Sequence, residues 1–338
     1  MIFKPRFSPI GIEMGAASVR AAQLRRDGAA WSIGDQITVT RPDPALPFSA
    51  EEAQCLAGVL RRRGFVGRRV VVSLPNRDVI RGLFEVTGKG SADPFLSVAQ
   101  DIERTHNLQP GAYELAAWLP PATGARRKSA VCVTGCTHAA AHNVLNAFNA
   151  AGLEAAAIDG RACALGRTVE SPAHRLTAVL DIEHQTTELV LLNNGNVVYQ
   201  RPLIDAGIEH THERLAELGL TRQTADHCLE TIGLAETQKP QGQRVREVLL
   251  TFVQNLVQEA RPALDYAARV YGELPISGFA LVGSGAGVPL LDYELRQHLR
   301  YDAAALRSPV KLTSPIDPVF AVALGLALHP QEASWAAA

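Results

Sequence analysis

Two segments, half a chain apart, share the same spacing of one acidic and one hydroxyl residue. Glu13 ends an apolar run and Ser18 follows five positions later, and Asp181 and Thr186 repeat this spacing in the second half of the chain. We expect each acidic residue to end a buried strand and each hydroxyl residue to begin the next strand, with a tight hairpin turn between them. The repeat therefore predicts two similar lobes that face each other across a cleft.

A hairpin of this kind can bind a phosphate group. Its turn presents backbone N–H groups and a Ser or Thr hydroxyl to phosphate oxygens. The acidic residue at the strand end can hold Mg²⁺, usually through water, because this hard cation keeps part of its hydration shell. The acidic candidates are Glu13 and Asp181. The candidate phosphate ligands are Gly15, Ser18, Thr186 and Thr187.

The simpler interpretation is two ordinary β-hairpins with acidic turn residues, and one hairpin alone would favour it. A third feature changes that balance, because the apolar run Gly278–Val282 leads into a glycine-rich stretch at residues 283–287. The two hairpins and this turn together indicate a binding site.

The composition indicates a globular chain with a substantial core. The 338 residues suggest two domains or one two-lobed fold. With 47% hydrophobic residues and a formal charge of −1, neither nucleic acid nor an acidic membrane surface is an expected partner. We find no secretory signal and no stretch near the ~20 apolar residues that span a bilayer, so direct membrane insertion is not expected. Five scattered cysteines argue against a metal site and fit a reduced, cytoplasmic compartment.

Local patterns predict an alternation of strands and helices, as in α/β proteins. The order β-α-β-β-α between residues 77 and 152 predicts a small α+β insert in the first lobe. The predicted strands are Ile10–Glu13, Val19–Leu24, Trp31–Val39, Val70–Leu74, Arg77–Val86, Tyr113–Leu119, Ala130–Thr134, Val179–Ile182, Glu188–Leu192, Val197–Arg201 and Gly278–Val282. The predicted helices are Ala50–Arg63, Pro94–His106, His138–Ala151, His210–Leu218, Arg222–Ile232, Arg244–Tyr271 and Pro318–Leu328.

Further short motifs run through nearly the whole chain and are specific in their order and spacing rather than singly. They are Val70–Asn76, Val79–Arg81, Asn146–Asp159, Asp181 with Thr186 and Leu189, the Asn194-Gly195 turn, Arg201, and Asp317-Pro318 before Ala321–Leu328. With these motifs, the chain resembles the PilM family of type IV pilus assembly proteins, in the FtsA-like branch of the actin-like ATPase superfamily. The two hairpins and the glycine-rich turn look like the phosphate-1, phosphate-2 and adenosine motifs of that superfamily.

The resemblance implies an actin-like ATPase fold of class α/β, with two RNase H-like lobes. The implied boundaries are 1–76 for the N-terminal part of the first lobe, 77–152 for the insert subdomain, 153–175 for the return to the first lobe, 176–330 for the second lobe and 331–338 for a flexible tail.

The resemblance also implies binding of ATP with Mg²⁺, and of the N-terminal cytosolic tail of a PilN-like single-pass membrane protein. The protein would then be a cytoplasmic scaffold of the type IV pilus or a related secretion system, held at the inner membrane through that partner. Self-association is left open. Hydrolysis would be slow at most, and we assign no catalytic residue and no direct metal ligand. The implied adenosine-binding residues are Gly283, Ser284, Gly285 and Asp226.

Three residues depart from the family pattern. Glu183 stands where the family has a glycine that lets the backbone approach phosphate. Leu229 stands where a lysine reaches the nucleoside, and Glu13 replaces an aspartate. The nucleotide site is therefore either functional or degenerate, because a fold does not guarantee its site.

Two other functions are weaker alternatives. A small-molecule kinase of the same superfamily needs a carboxylate base against the substrate hydroxyl. Asp159 and Asp205 are candidates for that base, although loop aspartates are commonly turn formers. A cell-division protein of the FtsA type would end in an amphipathic membrane-binding helix, and the last eight residues, from Gln331, lack a basic face.

Overall fold

A computed structural model describes residues 6–27, 30–85, 94–120, 130–203, 206–302, 304–308 and 312–330. The chain divides into two compact units. Unit 1 contains the described residues up to 169 and those from 306 onward, and unit 2 contains the described residues of 170–305.

The elements follow the order expected for an α/β chain. The strands are β1 (Arg6–Phe7), β2 (Ile10–Met14), β3 (Ser18–Asp27), β4 (Ala30–Thr40), β5 (Arg69–Ser73), β6 (Ile80–Glu85), β7 (Tyr113–Trp118), β8 (Ala130–Thr137), β9 (Glu154–Ile158), β10 (Leu176–Ile182), β11 (Thr187–Asn193), β12 (Asn196–Leu203) and β13 (Ile276–Val282). The helices are α1 (Ala50–Arg62), α2 (Pro94–His106), α3 (His138–Ala150), α4 (Arg161–Leu165), α5 (Glu209–Glu217), α6 (Arg222–Thr231), α7 (Pro240–Val270), α8 (Leu291–Leu299) and α9 (Ala321–Ala327).

The main sheet of unit 1 is six-stranded, in the order β1-β3-β2-β5-β9, and β4 also pairs with β3. Strand β2 alternates its side chains between two faces, as strands do. Ile10 and Ile12 point into an apolar cluster with helices α1 and α3. Gly11 points the other way, where helix α9 lies directly on the strand.

Helix α1 begins where the sequence places its capping residue. The Ser49 hydroxyl accepts a hydrogen bond from the Glu52 N–H (3.2 Å), and the Glu52 carboxylate accepts one from the Ser49 N–H (2.9 Å). This reciprocal pair is a capping box, which satisfies backbone donors that the first helical turn leaves open.

A separate three-stranded sheet, in the order β6-β8-β7, forms the insert of unit 1 with helix α2. The insert differs from the predicted range 77–152 at its end. Helix α3 packs through Val144 and Phe148 into the core of the main sheet, so the insert strands end at Thr137. The predicted strand Arg77–Val86 is also shorter, because residues Asn76–Asp78 form a 3₁₀ turn.

Unit 2 is built on a four-stranded sheet in the order β12-β11-β10-β13. Helices α5 to α8 contribute to its core, and the long helix α7 supplies the largest share of buried side chains. The apolar face of α7 repeats every three or four residues, as for a helix that covers a sheet.

The sheets confirm the internal repeat. In unit 1, β2, β3 and β4 form an antiparallel meander, and β5 lies parallel to β2. In unit 2, β10, β11 and β12 form the same meander, and β13 lies parallel to β10. Each unit therefore carries its acidic residue at the end of the first meander strand, as predicted.

The unit boundaries differ from the predicted lobes at two points. The change of unit falls between residues 169 and 170 rather than at 176, and the residues from 306 onward belong to unit 1 rather than to the second lobe. The physical reason for the second difference is helix α9, which packs on β2, β3 and α4. The tail at 331–338 lies outside the described residues.

Strand β9 and helices α4 and α8 had no predicted counterpart. Among the helices in the described ranges, none has the length and apolar character needed to cross a membrane.

Candidate functional site

The first hairpin, between β2 and β3, closes as the sequence predicts. The Gly15 N–H donates to the Ser18 carbonyl at 2.9 Å. Gly15 is buried and Ser18 is half-buried. The turn residues Ala16 and Ala17 are also half-buried, so this turn is accessible to a small ligand.

Glu13 is enclosed by two arginines. Arg20 Nη1 and Arg161 Nη1 both donate to Glu13 Oε1, each at 2.8 Å, and the Glu13 side chain is 1% exposed. The hairpin register places Arg20 directly opposite Glu13, and Arg161 begins helix α4. Among the described residues, Glu13 Oε2 and the buried Ser73 hydroxyl have no hydrogen-bond partner.

The structure gives Glu13 a role that the sequence did not predict, and its magnesium role stays a prediction. The two guanidinium groups enclose Glu13 Oε1 and stand where a cation or its bound water would have to approach that oxygen. The Glu13 carboxylate therefore serves as the counter-charge for Arg20 and Arg161.

Arg41 fixes the turn of the same hairpin. Its backbone N–H donates to the Ala17 carbonyl (2.9 Å), and its Nη1 donates to the Ala16 carbonyl (3.2 Å). Its Nε also donates to Glu52 Oε1 at 2.8 Å, which ties the turn to helix α1. None of the arginines 20, 41 and 161 was predicted from the sequence. The hairpin register would have identified Arg20, since it faces Glu13 across the turn.

The second hairpin, between β10 and β11, is fixed by contacts with the start of helix α5. Glu183 N–H donates to the Thr186 carbonyl (3.0 Å) and closes the turn. The Ile208 N–H donates to the Glu183 carbonyl at 3.1 Å, and Gly207 lies so close to Gln185 that a Cβ would be 2.3 Å from its carbonyl carbon. The turn backbone is therefore fixed on this side.

The two candidate hydroxyls of this hairpin have different surroundings. Thr187 is fully buried and its hydroxyl donates to the Ala206 carbonyl, so it is committed to the core. Thr186 is half-buried at the turn. A phosphate contact from this hairpin therefore remains a prediction for Thr186 rather than for Thr187.

The structure brings Asp181 together with the glycine-rich turn. Strand β13 runs parallel to β10 with Asp181 opposite Val282, so the turn at residues 283–285 follows beside the acidic residue. Gly283 has φ +83°, and a Cβ there would be 2.7 Å from Asp181 Oδ1. The Ser284 hydroxyl donates to the Ile182 carbonyl at 3.2 Å. Only glycine fits position 283, both for its dihedral and for its space.

The predicted adenosine contact at Asp226 is engaged elsewhere in unit 2. His212 Nε2 lies 2.7 Å from Asp226 Oδ1, and Arg222 Nε donates to the same oxygen at 3.2 Å. Leu229 packs into the apolar core. The structure therefore gives Asp226 a local pairing role, and Leu229 offers no polar group to a nucleoside.

His184, in the second turn, is buried beside other titratable groups. Burial lowers the pKa of His184, and the carboxylate of Glu209, 3.5 Å from its Nε2, opposes that shift. The neighbouring Arg222 and His212 also lower the pKa of His184. Burial thus favours the neutral form of the imidazole.

The two hairpins differ in the residue that lies opposite the acidic side chain. Where unit 1 has Arg20 opposite Glu13, unit 2 has the buried Glu188 opposite Asp181. Glu183 adds a further buried carboxylate to the second hairpin. The second hairpin therefore carries more buried carboxylates than the first.

Within the described ranges, no three or more His, Cys, Asp or Glu side chains converge in a way that could hold a metal ion. A cation at the second hairpin would therefore take most of its ligands from water and from a bound molecule.

Comparison with solved structures gives several matches along the whole chain. A chain of a PilM–PilN type IV pilus biogenesis complex matches with a TM-score of 0.70 and 21% identity, over 95% of this chain and 98% of that one. The ethanolamine utilization protein EutJ from Carboxydothermus hydrogenoformans matches with a TM-score of 0.56 and 15% identity, over 97% and 91%. MreB5 of Spiroplasma citri, bound to ADP, matches with a TM-score of 0.53 and 14% identity, over 98% and 97%. No protein-family model matches the chain.

These neighbours define the class: the chain has the actin-like ATPase fold, which confirms the predicted fold class. Within that class the fold is PilM-like, as the sequence resemblance indicated.

Proposed function

We propose that the protein is a nucleotide-binding scaffold of the inner-membrane assembly platform of the type IV pilus or a related secretion system. The observation that carries this proposal is the pair of acidic hairpins, repeated at equivalent positions of a PilM-like fold. The PilM neighbour is part of a complex with PilN, which supports a membrane partner of the PilN kind.

The nucleotide part of the proposal rests on the two hairpins and the glycine-rich turn. The turn of the first hairpin, with Gly15 and Ser18, would contact phosphate. Asp181 would hold Mg²⁺ through water, and that ion would neutralise phosphate oxygens. Gly283 and Ser284 would lie where the phosphate chain joins the nucleoside. MreB5, of the same fold, is solved with ADP and with AMPPNP, which supports a nucleotide as the ligand.

The kinase alternative has less support. Asp159, one candidate base, forms an ion pair with Arg167, so its carboxylate is not free to act as a base toward a substrate. Asp205, the other candidate, lies outside the described residues.

Unit 1 carries two features that suit a peptide partner. Strand β6 is an edge strand of the described insert sheet, and extended peptides bind such edges by main-chain pairing. A mostly apolar cavity of about 340 Å³ lies between the ends of β3 and β4, the residues 41–49 and α1. Arg77, just before β6, donates to the Leu46 carbonyl at 2.6 Å and so connects this cavity to the start of the insert.

We expect Mg-ATP to raise the melting temperature of the protein. A ligand at 100 times its Kd stabilises the native state by about 2.7 kcal/mol, because it binds only that state. Asp181→Asn keeps the shape of the side chain and should abolish the shift. Differential scanning calorimetry with and without millimolar Mg-ATP measures this shift in melting temperature. The control is Asp292→Asn, at an exposed residue of helix α8, which should show the same shift as the parent. A parent protein that shows no shift would contradict the nucleotide part of the proposal.

We expect a peptide with the sequence of the partner's cytosolic tail to bind unit 1. Leu46 lines the cavity and is 58% exposed, so Leu46→Asp should weaken binding about tenfold by placing a charge against apolar groups. Fluorescence anisotropy of a labelled peptide measures the affinity. Tyr293→Asp, at a 51% exposed residue of unit 2, is the matched control and should leave the affinity unchanged.

Recruitment to membranes separates this model from direct lipid binding. The protein should sediment with vesicles that carry the partner and remain in solution with pure lipid vesicles. Equal sedimentation with both would show that the partner is not what holds the protein at the membrane.

A further inference from the structure

The Glu183 side chain lies on the glycine-rich turn that follows β13. Its Oε1 accepts a hydrogen bond from the Ser284 N–H at 3.3 Å. A Cβ on Gly283 would be 2.6 Å from the same oxygen, so the carboxylate rests against the glycine backbone. The residue is 8% exposed. The space over this turn is therefore filled by an anionic group of the protein itself.

The backbone of Glu183 is held independently of its carboxylate. Its N–H donates to Thr186 and its carbonyl accepts from Ile208. Only a rotation of the side chain can therefore remove the carboxylate from the turn. The carboxylate and Asp181 Oδ1 both lie within 2.7 Å of one point, the Cβ position of residue 283, so two acidic groups share this small volume.

These contacts have a direct consequence for phosphate. A phosphate that approaches the turn needs the backbone N–H groups and must avoid uncompensated negative charge. The Ser284 N–H is already bonded to the Glu183 carboxylate, so a phosphate can use this donor only if it displaces that carboxylate.

We propose that the Glu183 carboxylate is an internal competitor of nucleotide phosphate: it occupies the Ser284 N–H, and phosphate reaches this turn only when the side chain rotates away. The proposal rests on the proposed nucleotide-binding function and identifies the residue that sets the affinity for nucleotide. In the unliganded protein, the same contact holds the second hairpin and the glycine-rich turn together.

Two substitutions separate the effect of the Glu183 charge from the effect of the space that its side chain fills. Glu183→Gln removes the charge and keeps an acceptor oxygen of the same reach, whereas Glu183→Gly removes both. The affinity for Mg-ADP and Mg-ATP should be highest in Glu183→Gly, intermediate in Glu183→Gln and lowest in the parent. We expect Glu183→Gly to bind about tenfold more tightly than the parent. Isothermal titration calorimetry measures these affinities, and circular dichroism checks that each variant is folded.

The matched control is Glu209→Gln, which removes one negative charge from the neighbouring helix α5 without touching the glycine-rich turn. Its affinity for nucleotide should stay within about twofold of the parent's, because a charge near the surface is screened by solvent. Amide exchange at Ser284 gives a second measure, since its protection should fall in Glu183→Gly.

The outcomes distinguish this inference from the proposed function. Equal affinity in the parent and both variants overturns the role of Glu183, and if the parent binds tightly the nucleotide function still stands. If Glu183→Gly binds nucleotide and the parent does not, the result supports the role of Glu183 and shows that the parent has lost nucleotide binding. Absence of binding in the parent and in both variants overturns both.

Discussion

Replacing Gly325 with alanine is expected to lower the free energy of unfolding by about 3 kcal/mol, at the upper end of overpacking effects. Gly325 lies in the fully buried helix α9, and a Cβ there would be 2.1 Å from the Ala164 carbonyl oxygen. That oxygen belongs to the backbone of α4, so no side chain can move aside. The Gly325 carbonyl also accepts a hydrogen bond from Arg167 Nε at 2.7 Å, which fixes the helix on this side.

Gly58→Ala is a control for which the opposite change in the free energy of unfolding is expected. It lies inside helix α1, and a Cβ there would have its nearest neighbour at 3.5 Å, the end of the flexible Arg62 side chain. Gly58→Ala should therefore raise the free energy of unfolding by about 0.5–1 kcal/mol, because alanine loses less backbone entropy on folding. Urea denaturation of both variants measures the two changes. A Gly325→Ala variant as stable as the parent would show that α9 does not pack against α4 as described.

The elements that the sequence predicted well have local signals. Helix α1 has Ser49 and Glu52 at its start, and the turns of both hairpins stand between apolar runs. The repeated spacing of Glu13 and Asp181 also predicted that both units carry the same meander. Such features depend on a few neighbouring residues, so one sequence contains enough information to place them.

The elements that were missed depend on distant contacts. Strand β9 (Glu154–Ile158) is rich in alanine, a good helix former, and is a strand because it pairs in parallel with β5. Helix α9 joins unit 1 because Gly11 and Gly325 allow close approach to β2 and α4. No local pattern indicates which sheet a late helix will cover.

The structure brings some of the residues of the candidate site together, and their role in binding stays a prediction. Asp181 and the glycine-rich turn are adjacent, as the motif order indicated. The enclosure of Glu13 was not foreseen, because Arg161 reaches it from a distant part of the chain. The direction of the Glu183 side chain also could not be read from sequence, since it is set by the turn at Ser284.

Glu13→Ala is expected to lower the free energy of unfolding by about 3–5 kcal/mol, since it removes the buried carboxylate from between two buried guanidinium groups. Arg20 and Arg161 would lose this counter-charge in a site where water reaches them poorly. Glu13→Gln keeps one acceptor oxygen and should cost less. Asp292→Ala is the control: its ion pair with Arg296 is exposed, and its loss should cost less than about 1 kcal/mol.

The two roles considered for Glu13 give opposite results in this experiment. If the carboxylate held Mg²⁺, Glu13→Ala would keep the parent's stability in metal-free buffer and lose only the stabilisation by Mg-ATP. If it serves as the counter-charge, the loss of stability appears in metal-free buffer, before any ligand is added. Urea denaturation in EDTA therefore decides between them. A metal-free Glu13→Ala protein as stable as the parent would favour the magnesium role and contradict the arrangement of Glu13 with its two arginines.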